Sequence, residues 1–251
     1  MPHPSRQYIA SGFFSRLAAR VPPLLTEGPL AQYLPRMSAS KAGFILPCLP
    51  MTAPGPPSGP LWLHEIKHDG FRMIAQKRED RVKLYSRHGT DMTKRFPLIV
   101  DAVMRLSASS CMIDGEAVAC GEDGIPSFEL LRHKNDNARG ILCAFDVIQL
   151  NGEDIRHEPL EQRKAILWRM LKNEDGVETG PGLLINEWIE GQEADGATVF
   201  QHACSLGLEG IVSKRKGSRY NCGRSPYWLK LKNPESAAVR RELEHDWGRP
   251  R

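Results

Sequence analysis

The stretch Glu65-Ile66-Lys67-His68-Asp69-Gly70-Phe71-Arg72 decides how the rest of this chain is read. Leu61-Trp62-Leu63 and Ile66 form an apolar run that predicts a buried strand, Asp69-Gly70 predicts a turn, and Phe71 to Ala75 opens a second strand. Lys67 therefore stands at a strand end, on the rim of a turn, with Arg72 just beyond it. A lysine amine is a nucleophile only when unprotonated, and desolvation or a neighbouring cation makes that form available near neutral pH. Arg72 could be that cation, or could hold a substrate. An ordinary surface lysine beside a hairpin fits the same eight residues, so their meaning depends on the motifs downstream.

Composition limits the choices. The chain has 251 residues, 41% of them hydrophobic, which supplies a core for one large domain or a medium domain with tails. No apolar run approaches the length of a membrane span. Met1 to Arg20 lacks the continuous apolar segment of a secretory signal, so a cytoplasmic or nucleoid-associated protein without membrane contact is expected. The six cysteines form no Cys-X-X-Cys pair and lie mostly in apolar runs, as buried thiols of a reducing compartment do; a zinc site is not expected. Net charge is only +4, but it is unevenly spread. Between Glu209 and Lys232, seven basic residues face Glu209 alone and interleave with Ile211, Val212, Tyr220, Tyr227 and Trp228. Such a block suits a polyanion, a nucleotide or a nucleic-acid backbone, better than it suits a merely solvated face.

Along the chain, residues 1–43 alternate short apolar pieces with prolines and predict a poorly structured arm, with one short helix at Phe13 to Ala19. Pro47 to Pro60 holds six prolines and predicts an extended connector. From Leu61 onward strands arrive in succession: Leu61 to Lys67, Gly70 to Gln76, Val82 to Ser86, Cys111 to Ala119, Leu142 to Leu150, Leu183 to Glu187, Gly210 to Lys214 and Tyr227 to Lys232. Helices are expected at Phe96 to Leu106, Ser127 to Leu131, Leu160 to Leu171 and Ala194 to Leu206. Without a regular strand-helix-strand beat, the pattern predicts an α+β fold with antiparallel sheets flanked by helices. The main domain is expected over 44–234, with a short charged tail at 235–251.

Further motifs stand beside Lys67 in order: Ser86-Arg87-His88-Gly89, Asp114-Gly115-Glu116, Phe145-Asp146, Glu209-Gly210-Ile211-Val212-Ser213-Lys214 and Trp228-Leu229-Lys230-Leu231-Lys232. In the last, Lys230 and Lys232 are two apart on a strand and share a face. Their ammonium groups repel unless an anion lies between them, and a phosphate is the obvious anion.

In this order and spacing the motifs resemble those of ATP-dependent polynucleotide ligases. The flanking texture of Phe145 to Arg163 and Glu209 to Lys232 looks like the ligase domain of bacterial non-homologous end-joining ligases, and the similarity runs from about 44 to 234. The resemblance implies the ATP-grasp-like nucleotidyltransferase fold of DNA ligase adenylation domains. It also implies a chemistry in which Lys67 attacks the α-phosphate of ATP to form a covalent lysyl-AMP, on the way to sealing 5′-phosphate/3′-OH breaks in DNA repair. Glu209 would then bind a divalent cation, magnesium or manganese. Glu65, Arg72, Glu116, Phe145, Lys214, Lys230 and Lys232 would bind the nucleotide. Within that set Arg72 and Glu116 would take the ribose hydroxyls, Phe145 the adenine face, and the three lysines the phosphates. Arg87 would grip the 5′-phosphate of nicked or broken DNA.

Ligases of this kind carry an OB-fold after the nucleotidyltransferase domain, and the 19 residues beyond Lys232 are too few to make one. The expectations are therefore a minimal ligase that seals weakly on its own or is helped by a separate OB-fold protein or end-joining factors, or an inactive remnant that binds nucleotide or DNA ends without sealing them. The intact motifs favour retained chemistry.

Overall fold

A computed structural model describes residues 43–121, 126–132, 139–171 and 181–241; the expected arm and the helix at Phe13 to Ala19 lie outside them, as does the tail beyond 241. Strands β1 (Cys48–Thr52), β2 (Trp62–Lys67), β3 (Phe71–Arg78) and β4 (Arg81–Ser86) lead to helix α1 (Pro97–Met104) and strand β5 (Ser110–Val118). Next come α2 (Phe128–Arg132), β6 (Ile141–Leu150), β7 (Glu153–Asp154), α3 (Leu160–Leu171), β8 (Leu183–Ile185), β9 (Trp188–Glu190), α4 (Gly196–Ser205), β10 (Gly210–Arg215) and β11 (Gly223–Lys232).

Two sheets result. One has five strands in the order β1-β11-β10-β2-β9, the other six, β4-β3-β5-β6-β7 with β8 beside β6. Pairing is antiparallel except for β1 with β11 and β6 with β8. The period-2 alternation of each strand divides the apolar side chains among three cores. Met73, Ala75 and Ile113 of the six-stranded sheet pack with Ile99 of α1 and Leu167 of α3. Ile66, Ile211 and Leu231 of the five-stranded sheet pack with Val199 and Ala203 of α4. Leu63, Ile74, Met112, Phe145, Ile148 and Trp228 fill the space between the sheets. The α+β architecture with antiparallel sheets is thus the one expected.

Two departures matter for the site. The proline-rich segment is not merely a connector, because Cys48–Thr52 forms β1, in register from Cys48 opposite Gly223 to Thr52 opposite Lys230. Pro50 is tolerated because β1 is an edge strand, where one row of donors needs no partner. The strand expected at Leu183 to Glu187 is likewise interrupted: β8 joins the six-stranded sheet and β9 the five-stranded one, so the chain crosses between sheets at Asn186-Glu187.

Beyond β11 the chain turns back. The Asn233 amide donates to the Glu209 carbonyl at 2.8 Å, residues 237–241 are helical, and Arg241 pairs with Asp69 at 2.6 Å. Among the described residues no helix is long and apolar enough to cross a membrane.

Candidate nucleotide site

The floor of the site is set by strand register. Glu65, Val212 and Lys230 lie side by side across β2, β10 and β11, and so do Lys67, Gly210 and Lys232; Leu63, Lys214 and Trp228 form a third row. Residues two apart share a face, so one side of the five-stranded sheet carries Glu65, Lys67, Lys214, Lys230 and Lys232 together. Lys67 and Lys232 are separated by two strand spacings, about 9 to 10 Å between backbones. Between them lies Gly210, at φ +141°. A Cβ there would stand 2.0 Å from the Leu231 carbonyl oxygen, so the gap between the two lysines stays without a side chain.

Lys67 Nζ lies 2.6 Å from Glu209 Oε1, with the carboxylate side chain 4% exposed and the lysine 21%. Burial pushes the Glu209 carboxyl up, against the pull of the Lys67 ammonium. On the facing wall Arg72 of β3 and Glu116 of β5 are direct cross-strand partners. Burial raises Glu116 to about 7 although Arg72 and Lys67 both favour its charge. Arg72 is held bidentate by Asp114, Nε to Oδ1 at 2.6 Å and Nη2 to Oδ2 at 2.7 Å, and Nη2 also donates to the Cys48 carbonyl at 2.8 Å. Burial opposes both charges, yet the carboxylate of Asp114 outweighs it and keeps the guanidinium charged.

Phe145 of β6 closes the inner end. The Arg72 guanidinium lies 4.4 Å and the Lys214 amine 4.2 Å from its ring centroid, and Trp228 meets it edge-on at 6.0 Å. Lys214 is buried, which draws its pKa down to about 8 despite the Glu65 carboxylate 2.8 Å away. Glu65 Oε2 accepts from Lys214 and, at 3.1 Å, from the Asn186 amide, while Oε1 lies 2.6 Å from the Lys164 amine of α3 as an ion pair. Asn186 in turn meets His68 Nε2 at 2.8 Å.

These walls line a cleft of about 820 Å³ with its open mouth included. It is lined by Glu65, Lys67, Arg72, Glu116, Phe145, Lys214 and Lys230, with exposed Arg87 at the rim. Of the expected site residues, Glu209 and Lys232 do not line it. Glu209 borders an adjoining cleft that shares Lys67, His68 and Glu116 with the first, and Lys232 is placed by its pairing with Gly210. Lys67 thus stands where the two clefts meet.

The sequence alone does not pick out Leu49 and Pro50 of β1, Asn186, Trp228 or the supporting Asp114 and Lys164 as site residues. Asp114 and Trp228 sit inside motifs that the sequence displays; Leu49, Pro50 and Asn186 carry no local signal, because only the pairing of distant strands brings them to the cleft.

A family model described as the ATP dependent DNA ligase domain matches residues 57–232. The chain belongs to that family. This ATP-dependent DNA ligase domain is 34% identical over 192 residues to the multifunctional non-homologous end joining protein LigD of Pseudomonas aeruginosa, covering 75% of the chain and 22% of LigD. It is 32% identical over 201 residues to the SPbeta prophage-derived DNA ligase-like protein LigB of Bacillus subtilis, 78% of the chain and 70% of LigB. A solved structure of mycobacterial DNA ligase D complexed with ATP and MES superposes with a TM-score of 0.63 at 26% identity, over 75% of this chain and 60% of that one. A Chlorella virus DNA ligase-adenylate shares the fold, with a TM-score of 0.53 at 18% identity. The ligase domain therefore spans about a fifth of the LigD proteins it matches.

Proposed function

We propose that this domain transfers AMP from ATP to Lys67 and then to the 5′-phosphate of a broken DNA strand, which is sealed against a 3′-OH in end-joining repair. The observation that supports this most directly is Lys67 Nζ at the junction of the two clefts, ion-paired to Glu209 and in register with Lys232 across the open position at Gly210.

In the first step a bond forms between Lys67 Nζ and the α-phosphorus, the bond to pyrophosphate breaks, and the amine loses its extra proton. Phe145 stacks on adenine, worth about 1 to 3 kcal/mol for a base on an aromatic face. Arg72 and Glu116, side by side on the facing wall, hold the ribose hydroxyls. Lys230 and Lys232 share a strand face and neutralise the phosphate charge, and Lys214, held by Glu65, faces the phosphates from the same side of the sheet. Arg87, on the rim, receives the 5′-phosphate of the DNA. Glu65 contributes by holding Lys214 and Lys164 in place.

Glu209 is a buried carboxylate whose burial disfavours its charge, and a hard oxygen donor of this kind suits magnesium or manganese. Among the described residues no group of three or more His, Cys, Asp and Glu side chains forms a ready-made cage, so the remaining ligands would come from phosphate oxygens and water. When bound, the cation supplies charge stabilisation at the phosphates. The proposed partners are nicked or broken DNA and end-joining factors, and the proposed compartment is the cytoplasm.

The test is incubation with α-labelled ATP and magnesium, denaturation, and detection of label on protein, with Lys67→Ala as control. A lysine-dependent adduct is expected; label that persists in the Lys67→Ala protein, or none in either, defeats the proposal. Sealing of pre-adenylylated nicked DNA then separates the last step from the first.

A further inference from the structure

Tyr220, in the loop between β10 and β11, closes a ring of hydrogen bonds behind the nucleotide cleft. Its hydroxyl donates to Asp114 Oδ2 at 2.6 Å and accepts from the Cys48 amide at 2.9 Å. Asp114 holds Arg72, and Arg72 returns to the Cys48 carbonyl. Four segments from both sheets, β1, β3, β5 and the β10–β11 loop, thus meet at one buried phenol that is 4% exposed. Two of them bear on the cleft directly: β1 brings Leu49 and Pro50 to its lining, and β3 brings Arg72. Burial and the neighbouring Asp114 keep the phenol protonated and so able to donate.

We infer that Tyr220 is a positioning residue for nucleotide binding, setting the Arg72 guanidinium through Asp114 and β1 through the Cys48 backbone. This rests on the adenylylation reading of the site. Without the hydroxyl, Asp114 loses one of its three donor contacts and the Cys48 amide its side-chain acceptor, so Arg72 and β1 lose their common reference. The ring itself, edge-on to Trp228 at 6.0 Å, is retained in Tyr220→Phe.

The decisive measurement is the ATP dissociation constant in the Lys67→Ala background, where no covalent adduct forms, with and without Tyr220→Phe. A rise of about tenfold is expected, together with a matching rise in the KM for ATP of lysyl-AMP formation in Tyr220→Phe alone, with kcat within about threefold. Asp114→Asn should weaken binding as well, and adding Tyr220→Phe to it should cost less than the two single effects multiplied, since both act through one network. An unchanged dissociation constant, or fully multiplicative effects, overturns the inference while leaving adenylylation intact. Absence of both a wild-type adduct and ATP binding by Lys67→Ala instead defeats the adenylylation reading, and this inference with it.

Discussion

Lys67 and Glu209 form a contact of 2.6 Å in which the carboxylate is almost wholly buried and the amine remains reachable from both clefts. The pair keeps the amine close to where the α-phosphate must lie, and a carboxylate in a water-poor setting acts on charge more strongly than it would in water. Glu209→Gln should therefore lower the single-turnover rate of lysyl-AMP formation by about 100- to 1000-fold, the scale on which one preorganised electrostatic group acts. Rapid-quench measurement with labelled ATP checks this. A loss below tenfold would mean that Glu209 merely accompanies the lysine.

Glu65 should behave as a structural anion. Its carboxylate faces two buried ammonium groups, Lys164 and Lys214, so Glu65→Gln leaves two cations without their counter-charge. Breaking a buried ion pair costs about 3 to 5 kcal/mol. Urea unfolding should show a loss of that order; a loss under about 1 kcal/mol would mean that the lysines find other partners.

Phe145→Leu keeps much of the apolar volume and removes the aromatic face. ATP affinity should fall by roughly tenfold, within the range of about 1 to 3 kcal/mol for base stacking, and calorimetric titration reads it directly. Unchanged affinity would place adenine elsewhere in the cleft.

Stability should depend on pH through two buried histidines. Burial lowers His64 and His68 to about 4 each, from an ordinary value of 6.5. The unfolded chain takes up both protons as the pH falls through 6.5, whereas the folded chain refuses them until about 4. Their contribution is complete above pH 6.5 and is lost progressively between 6.5 and 4. Glu116, raised to about 7, acts in the opposite sense, so the histidine share is read by comparison. In His64→Gln, which leaves a neutral partner for Ser213, 2.9 Å from the imidazole in the native protein, the urea midpoint should lose less, or gain more, between pH 7.5 and pH 5 than in the unaltered protein. An equally steep dependence in the variant would assign the effect to other groups.

Much of this site is legible in residue spacing. Glu65 and Lys67, or Lys230 and Lys232, share a face because strand side chains alternate, and that rule needs no tertiary knowledge. What spacing does not carry is strand pairing over long separations. Pro50 argues against a strand in isolation, yet an edge beside β11 accepts it. Leu183 to Glu187 looks like one strand because nothing local marks the passage from one sheet to the other at Asn186. Arg72 presents itself in sequence as a substrate ligand, while the fold commits two of its nitrogens to Asp114 and Cys48. The same limit hides the turn that seats Arg241 against Asp69.

The parallel partnership of β1 with β11 also bears on how the gene is cut. The matched ligase region starts at residue 57, downstream of Cys48–Thr52. A gene trimmed to that region would encode every lysine and carboxylate of the site and still yield a cleft open on one side, with Leu49 and Pro50 gone and the Cys48 backbone no longer there to meet Arg72 and Tyr220.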